Sequence, residues 1–223
     1  AATAAALPRF APVASVREAA APDGAAATEQ LTKLLPAGER PSGSRHWQLG
    51  KDAGGRLLLA GGKGEVTVNL QRDFAYSDVA ARTKDMEKDL AGKAAQRKPA
   101  DQRPLTKEEA RAQAEQTAPK KLVKPDKAAL RRIYSCATLK STTEDLRSCT
   151  TANLPDGSLV LRYETRTGSL ITRTADVLRP DATRVVVTAS NAKDTKHGPA
   201  DLATPPLNLA ALAKIAGNPA WNK

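Results

Sequence analysis

Two rhythms of apolar residues run along this chain, one with the period of a helix and one with the period of a strand. In AATEQLTKLLPAGE, residues 26–39, Leu31, Leu34 and Leu35 fall on one helical face. Pro36 and Gly38 then stop the helix. The stretch ERPSGSRHWQLGKDAGG, residues 39–55, reads as a loop with at most a short strand near Trp47. RLLLAGGKGEVTVNLQRDF follows as a hairpin, with Arg56–Ala60 as one strand. In its partner, Glu65–Gln71, Val66, Val68 and Leu70 alternate with Glu65, Thr67, Asn69 and Gln71. Gly61, Gly62 and Gly64 supply the positive φ angles of the tight turn.

The middle of the chain loses its apolar stripe. SDVAARTKDMEKDLAGKAAQ has the composition of a helix but only Val79, Met86 and Leu90 to bury. After a break at RKPADQRP, Thr106 and Glu109 form a capping box for KEEARAQAEQTA. No side chain in that body is both apolar and larger than alanine, so the helix is expected to bridge solvent or bind a partner. Residues 77–124 therefore read as a basic helical insertion between two halves of one core.

Periodicity returns near Asp126 with a short helix that docks through Leu130 and Ile133. LPDGSLVLRYETR turns at Asp156-Gly157 and sets Leu159, Leu161 and Tyr163 on one face. LITRTADVL and TRVVVTASN complete a three-strand meander, with turns at Gly168 and at Arg179-Pro180-Asp181. In the closing helix Asn208 caps, Leu207 staples to Leu212, Gly217 suits a left-handed cap and Pro219 blocks extension. Trp221 is expected to fold back on the core. The expected fold is α+β: an antiparallel sheet of about five strands backed by N- and C-terminal helices. Residues 1–24, rich in alanine and proline, read as a flexible linker, and residues 25–223 as a single domain.

Composition narrows the picture. Of 223 residues only seven are aromatic, so the packed body is smaller than the chain. The net charge is +11, and residues 76–135, with 15 basic and 9 acidic groups, hold over half of the surplus. Those charges are interleaved and no stacking aromatic lies between Ser77 and Ile133, which argues against nucleic acid. Lys120, Lys121, Lys124, Arg131 and Arg132 are the candidate contacts for an anionic envelope polymer. No run of 18 apolar residues is present. The chain opens on alanine and its only methionine is Met86, which predicts a removed leader or membrane anchor.

Cys136 and Cys149 are the only cysteines. A zinc site needs about four ligands, usually in close pairs, and His46 and His197 are the only histidines. A catalytic thiol needs a histidine base, and none is nearby in sequence. Free thiols remain open, but two cysteines in this setting predict a disulfide, and hence a chain exported from the cytoplasm.

These cysteines also open a longer pattern. The run C-x12-C-TTANLPDGSLVL, then ADVLRPDATRVVVTASN, then ATPPLNLAALAKIAGNPAW resembles the extracytoplasmic domains of actinobacterial single-pass membrane proteins and lipoproteins. LTKLLPAGE and GEVTVNLQR resemble the first half of the same domains. The similarity covers about 150 residues and lies in turns and core positions rather than chemistry. Ala182 departs from it, standing where glycine is usual, and so does the long insertion. The resemblance implies no enzyme activity; some members look like ectodomains joined to a cytoplasmic segment that restrains an alternative sigma factor.

Patterns that carry chemistry are thin. GGKGE has glycines beside a lysine but runs into a strand, where a phosphate loop runs into a helix. Glu108-Glu109 and Glu144-Asp145 sit among bases as solvated faces. His46 and His197 both lie in loop-like settings. Arg162, Arg166, Arg173 and Arg184 are expected on the outer sheet face, keeping it from sticking. No catalytic, metal or cofactor site is assigned. The sequence points to a non-catalytic sensing or binding domain of an anchored cell-envelope protein, touching the membrane only through the removed anchor. The rival is a freely secreted inhibitor of an extracellular enzyme, presenting the disulfide loop around Thr142–Arg147.

Overall fold

Seven antiparallel strands form a single sheet in the order β1-β2-β3-β7-β6-β5-β4. They are β1 (Gly43–Leu49), β2 (Asp52–Leu59), β3 (Gly64–Gln71), β4 (Leu146–Asn153), β5 (Leu159–Thr167), β6 (Leu170–Leu178) and β7 (Arg184–Ser190). The sheet is thus two meanders, joined where β3 pairs with β7 from Glu65↔Ser190 to Gln71↔Arg184. The computed structural model describes residues 23–50, 52–72, 74, 127–195 and 199–222. The 77–124 insertion and the two helices expected in it lie outside these residues, as do Lys120, Lys121, Lys124 and His197.

One face of the sheet carries the main core. Leu57, Leu59, Val66, Val68, Val177, Val185 and Val187 are buried there with Leu31 of α1 (Gly24–Leu34) and Leu212 of the C-terminal helix, α4 (Leu209–Ala216). The period-two alternation of these strands puts the valines on this side, and the helical spacing brings the leucines down onto it. Asp23 caps α1, accepting from the Ala25 N–H at 2.8 Å, so the last residues of the expected linker open the helix instead. Asn208 caps α4 through Ala211 N–H at 2.9 Å, and both Leu207 and Leu212 are buried. Trp221 does fold back: it is buried and its Nε1 donates to the Ile215 carbonyl at 2.7 Å.

The opposite face is covered over its β4–β6 half by α2 (Lys127–Ile133) and α3 (Cys136–Thr142). Their Leu130, Ile133, Tyr134 and Leu139 pack on Leu159, Leu161, Tyr163 and Leu178, together with Phe74. The expected alternation of β5 is thus observed, with Val160 on one face and its neighbours Leu159 and Leu161 on the other.

The sheet has seven strands where the sequence predicts about five, and the two additions are its edges. β1 runs through the stretch 39–55, read as a loop with at most a short strand near Trp47, and β4 starts in the expected polar loop between the cysteines and continues past Cys149 to Asn153. An edge strand with one solvated side needs no apolar alternation, and six of the seven β1 residues are exposed. Gly54 and Gly55 also disguise the first half of β2, Asp52 to Gly55, as a loop. They are required by close approach: a Cβ on Gly54 would lie 2.2 Å from the Trp47 ring, and one on Gly55 2.1 Å from Thr28 Oγ1.

The turns correct two further expectations. Gly61 and Gly62 have φ of 66° and 85°, but it is Ala60, at 52°, that joins them in the left-handed region. Gly64 instead begins β3, where an added Cβ would crowd Leu202 and Pro206 at 3.0 Å. Gly217 ends α4 with φ −78° and ψ −4°, in the right-handed region. The cap is completed from elsewhere, since Arg179 Nη2 donates to the carbonyls of Ala216 at 3.2 Å and Asn218 at 2.7 Å. A cation there satisfies carbonyls left open by the helix and complements its dipole. Ala182, where glycine is usual, does take a positive φ of 71°.

Candidate functional site

Two features stand apart from ordinary packing: a charged cluster under the α2–α3 pair and the bare outer strand β1. The first is built from the cysteines upward. Cys136, the first residue of α3, is bonded to Cys149 in the middle of β4, with S–S 2.01 Å and Cα–Cα 5.7 Å. The bond holds the helical pair against the far edge of the sheet. Such bonds persist in oxidising compartments, which fits an extracytoplasmic environment. Among the described residues no helix is long and apolar enough to cross a membrane.

Beneath the pair lies Asp176 of β6. It receives the Arg184 guanidinium through Nε at 2.9 Å and through Nη2 at 2.5 Å, and the Tyr134 hydroxyl at 2.9 Å. Arg184 Nη1 reaches Gln71 Oε1 at 2.9 Å, and its guanidinium stacks 4.5 Å from the centroid of Phe74. Burial works against the Arg184 charge, but Asp176 outweighs it and raises the arginine pKa above its usual value. Arg184 is therefore no sheet-face guard. It sits in the second core, while Arg162, Arg166 and Arg173 point to the other face by strand alternation. Arg173 Nε pairs there with Glu164 at 2.8 Å.

Burial also raises the pKa of Tyr134 well above the ordinary phenol value, and that of Tyr163 by a smaller amount, with Asp176 adding to both. A folded-state pKa above the unfolded one contributes stability that is full below the unfolded pKa, about 10 for tyrosine, and is lost as pH rises. We expect Tyr134 and Tyr163 to ionise only as the protein unfolds in alkali. Phenolate absorbance followed alongside far-ultraviolet circular dichroism checks this; ionisation that precedes the loss of structure would contradict it.

The second feature is β1. Among the described residues, Trp47 and Leu49 are the large hydrophobics left exposed, at 39% and 79%. Both project to the same side as Arg45 and Gly43, since alternate residues of a strand share a face. A recess of about 360 Å³ opens on that side, lined by Gly43, Arg45, Arg56, Leu58 and Asp194 among others. On the other side a shallow groove between α1 and β1 holds His46 with Glu29 and Thr32. Glu29 is engaged with Lys33 at 2.6 Å.

The remaining sequence candidates separate. Arg131 and Arg132 are exposed on α2. The lysines named with them lie outside the described residues. Glu144 is exposed, but Asp145 is tied to β5: its carbonyl accepts from Arg166 N–H at 2.9 Å and its Oδ2 from Thr167 Oγ1 at 2.6 Å. The expected loop between the cysteines is therefore a helix, a three-residue link and the start of a strand. Gly61–Gly64 form the hairpin turn and strand start rather than a phosphate cradle.

No protein-family model, curated protein or solved structure matches this chain. Sequence reasoning missed the Asp176–Arg184–Tyr134 cluster because its members are 42 and 8 residues apart and sit on separate elements. One signal was legible: Asp176 interrupts the otherwise apolar ADVL of β6, and a lone carboxylate there demands a cation.

Proposed function

We propose that this chain is an extracytoplasmic binding domain, without chemistry of its own, carried by an anchored cell-envelope protein. The observation that carries the reading is the Cys136–Cys149 bond, which ties α3 to β4. A non-catalytic role is supported by how the buried polar groups are used. Tyr134, Asp176, Arg184 and Gln71 are committed to one another. His46 stands exposed on the outermost strand. The resemblance of the turn and closing-helix motifs to actinobacterial ectodomains supports the anchored form, and with it a sensing role coupled to a cytoplasmic regulatory segment. Its partner is an envelope protein or an anionic envelope polymer; for the polymer, Arg131 and Arg132 offer exposed cations on α2.

The test uses the full-length protein in intact cells. A membrane-impermeant maleimide should leave both cysteines unlabelled until an impermeant reductant is added, and label them afterwards without lysis. Thiols that react only after lysis, without reduction, overturn the reading. A second arm addresses the polymer. Co-sedimentation with purified anionic wall polymer should weaken as salt rises and fall further in Arg131→Glu/Arg132→Glu. Binding indifferent to both changes removes the polymer as the partner.

A further inference from the structure

β1 is an outer strand whose only charged guard is Arg45. Edge strands normally avoid pairing with other chains through prolines, charges or bulges. The other edge, β4, has a register shift between Leu146 and Ser148 and carries Arg147 there. β1 pairs with β2 at seven consecutive positions without a shift. Between Gly43 and Leu49 it has no proline, lysine or acidic residue, and it displays Trp47 and Leu49 to solvent.

We propose that β1 pairs antiparallel with β1 of a second copy of this chain, about a two-fold axis through His46, so that one sheet continues across both molecules. The register follows from the residues. Directly opposed residues must share a face, so the pairing can slip only in steps that keep side chains on their own sides. Centring on His46 pairs all seven positions: Gly43 with Leu49, Ser44 with Gln48, Arg45 with Trp47, and His46 with itself. Slipping one way sets Arg45 against its own copy, and like charges directly opposed destabilise a sheet. Slipping the other way leaves Gly43 and Ser44 unpaired.

In the centred register each exposed group finds a complement. Leu49 of one copy arrives over Gly43 of the other, where the missing side chain leaves room. Leu58 stands behind it, since Leu58 Cδ1 is 3.4 Å from the position a Gly43 Cβ would take. This is the recess of about 360 Å³ already described, filled twice by symmetry. Arg45 lies across from the Trp47 ring, the geometry of a cation–π contact. That ring is held flat by Gly54 beneath it. Each copy carries +11, so their repulsion opposes the pairing and added salt strengthens it.

Sedimentation of the oxidised 223-residue chain should show a species of twice 23.5 kDa that grows with protein concentration and with salt. Leu49→Arg places a cation between Arg45 and Arg56 and should weaken the dimer about tenfold or more. Leu49 is 79% exposed, so at concentrations where the chain is monomeric the melting temperature should not change. Under mild oxidation His46→Cys should cross-link to its copy, and Arg45→Cys and Trp47→Cys should not. A chain that stays at 23.5 kDa at every concentration overturns the proposal. So does a dimer unaffected by Leu49→Arg, or one that cross-links through position 45 or 47 in place of 46.

Discussion

Replacing Asp176 with alanine should destabilise the protein by about 3–5 kcal/mol, the usual cost of stranding one member of a buried ion pair. Asp176 is 3% exposed and accepts from both Arg184 and Tyr134. Its removal leaves a guanidinium beneath α2 without a counter-charge from β6, beside Gln71 and the Phe74 ring. Arg184 keeps a 24% exposed side chain, so some water can reach it, which puts the expected loss near the lower bound. Against a typical total of about 5–15 kcal/mol even that bound is large. The double variant Asp176→Leu/Arg184→Met should recover much of the loss, because removing both charges leaves none unpaired. Urea unfolding of the two single variants and the double one measures the coupling. Additive losses would mean that the pair is not acting as a unit.

The Cys136→Ser/Cys149→Ser variant should lose about 3 kcal/mol, the chain-entropy value for a loop of this length. The loss should also be local. α2 and α3 rest on a small second core, whereas β3, β7 and β6 lie in the middle of the sheet above the larger one. Without the bond, amide exchange should accelerate first in residues 127–142 while the central strands keep their protection. Uniform acceleration would show that the bond supports the whole fold rather than one flap. Because the cluster lies beneath that flap, Asp176→Ala and loss of the disulfide should be less than additive: each loosens the same helices.

The disulfide and the ion pair explain how a chain with seven aromatics holds a second layer on its sheet. Neither offers a group to a ligand. What the molecule does offer is an outer strand with a tryptophan, a leucine and a recess of matching position. Binding through that strand would reuse the hydrogen-bonding pattern of the sheet itself.

The sequence by itself determined the elements that bury a periodic face. Leu31 of α1, the Val66–Val68–Leu70 alternation, the β5–β7 meander and the Asn208-capped helix were all legible, because each must turn apolar residues one way to reach the core. It also predicted a bond between the two cysteines with free thiols left open, and the structure forms that bond. The tertiary structure alone decided the extent and edge position of the two outer strands, whose polar faces leave no periodic trace, and the partners of Asp176 and Arg179, which come from distant parts of the chain. It decided why Gly54, Gly55 and Gly64 are glycines, because the atoms that exclude a Cβ belong to other elements. Periodicity records which side of an element meets the core, but it holds no record of what a solvated edge or a lone buried charge will meet there.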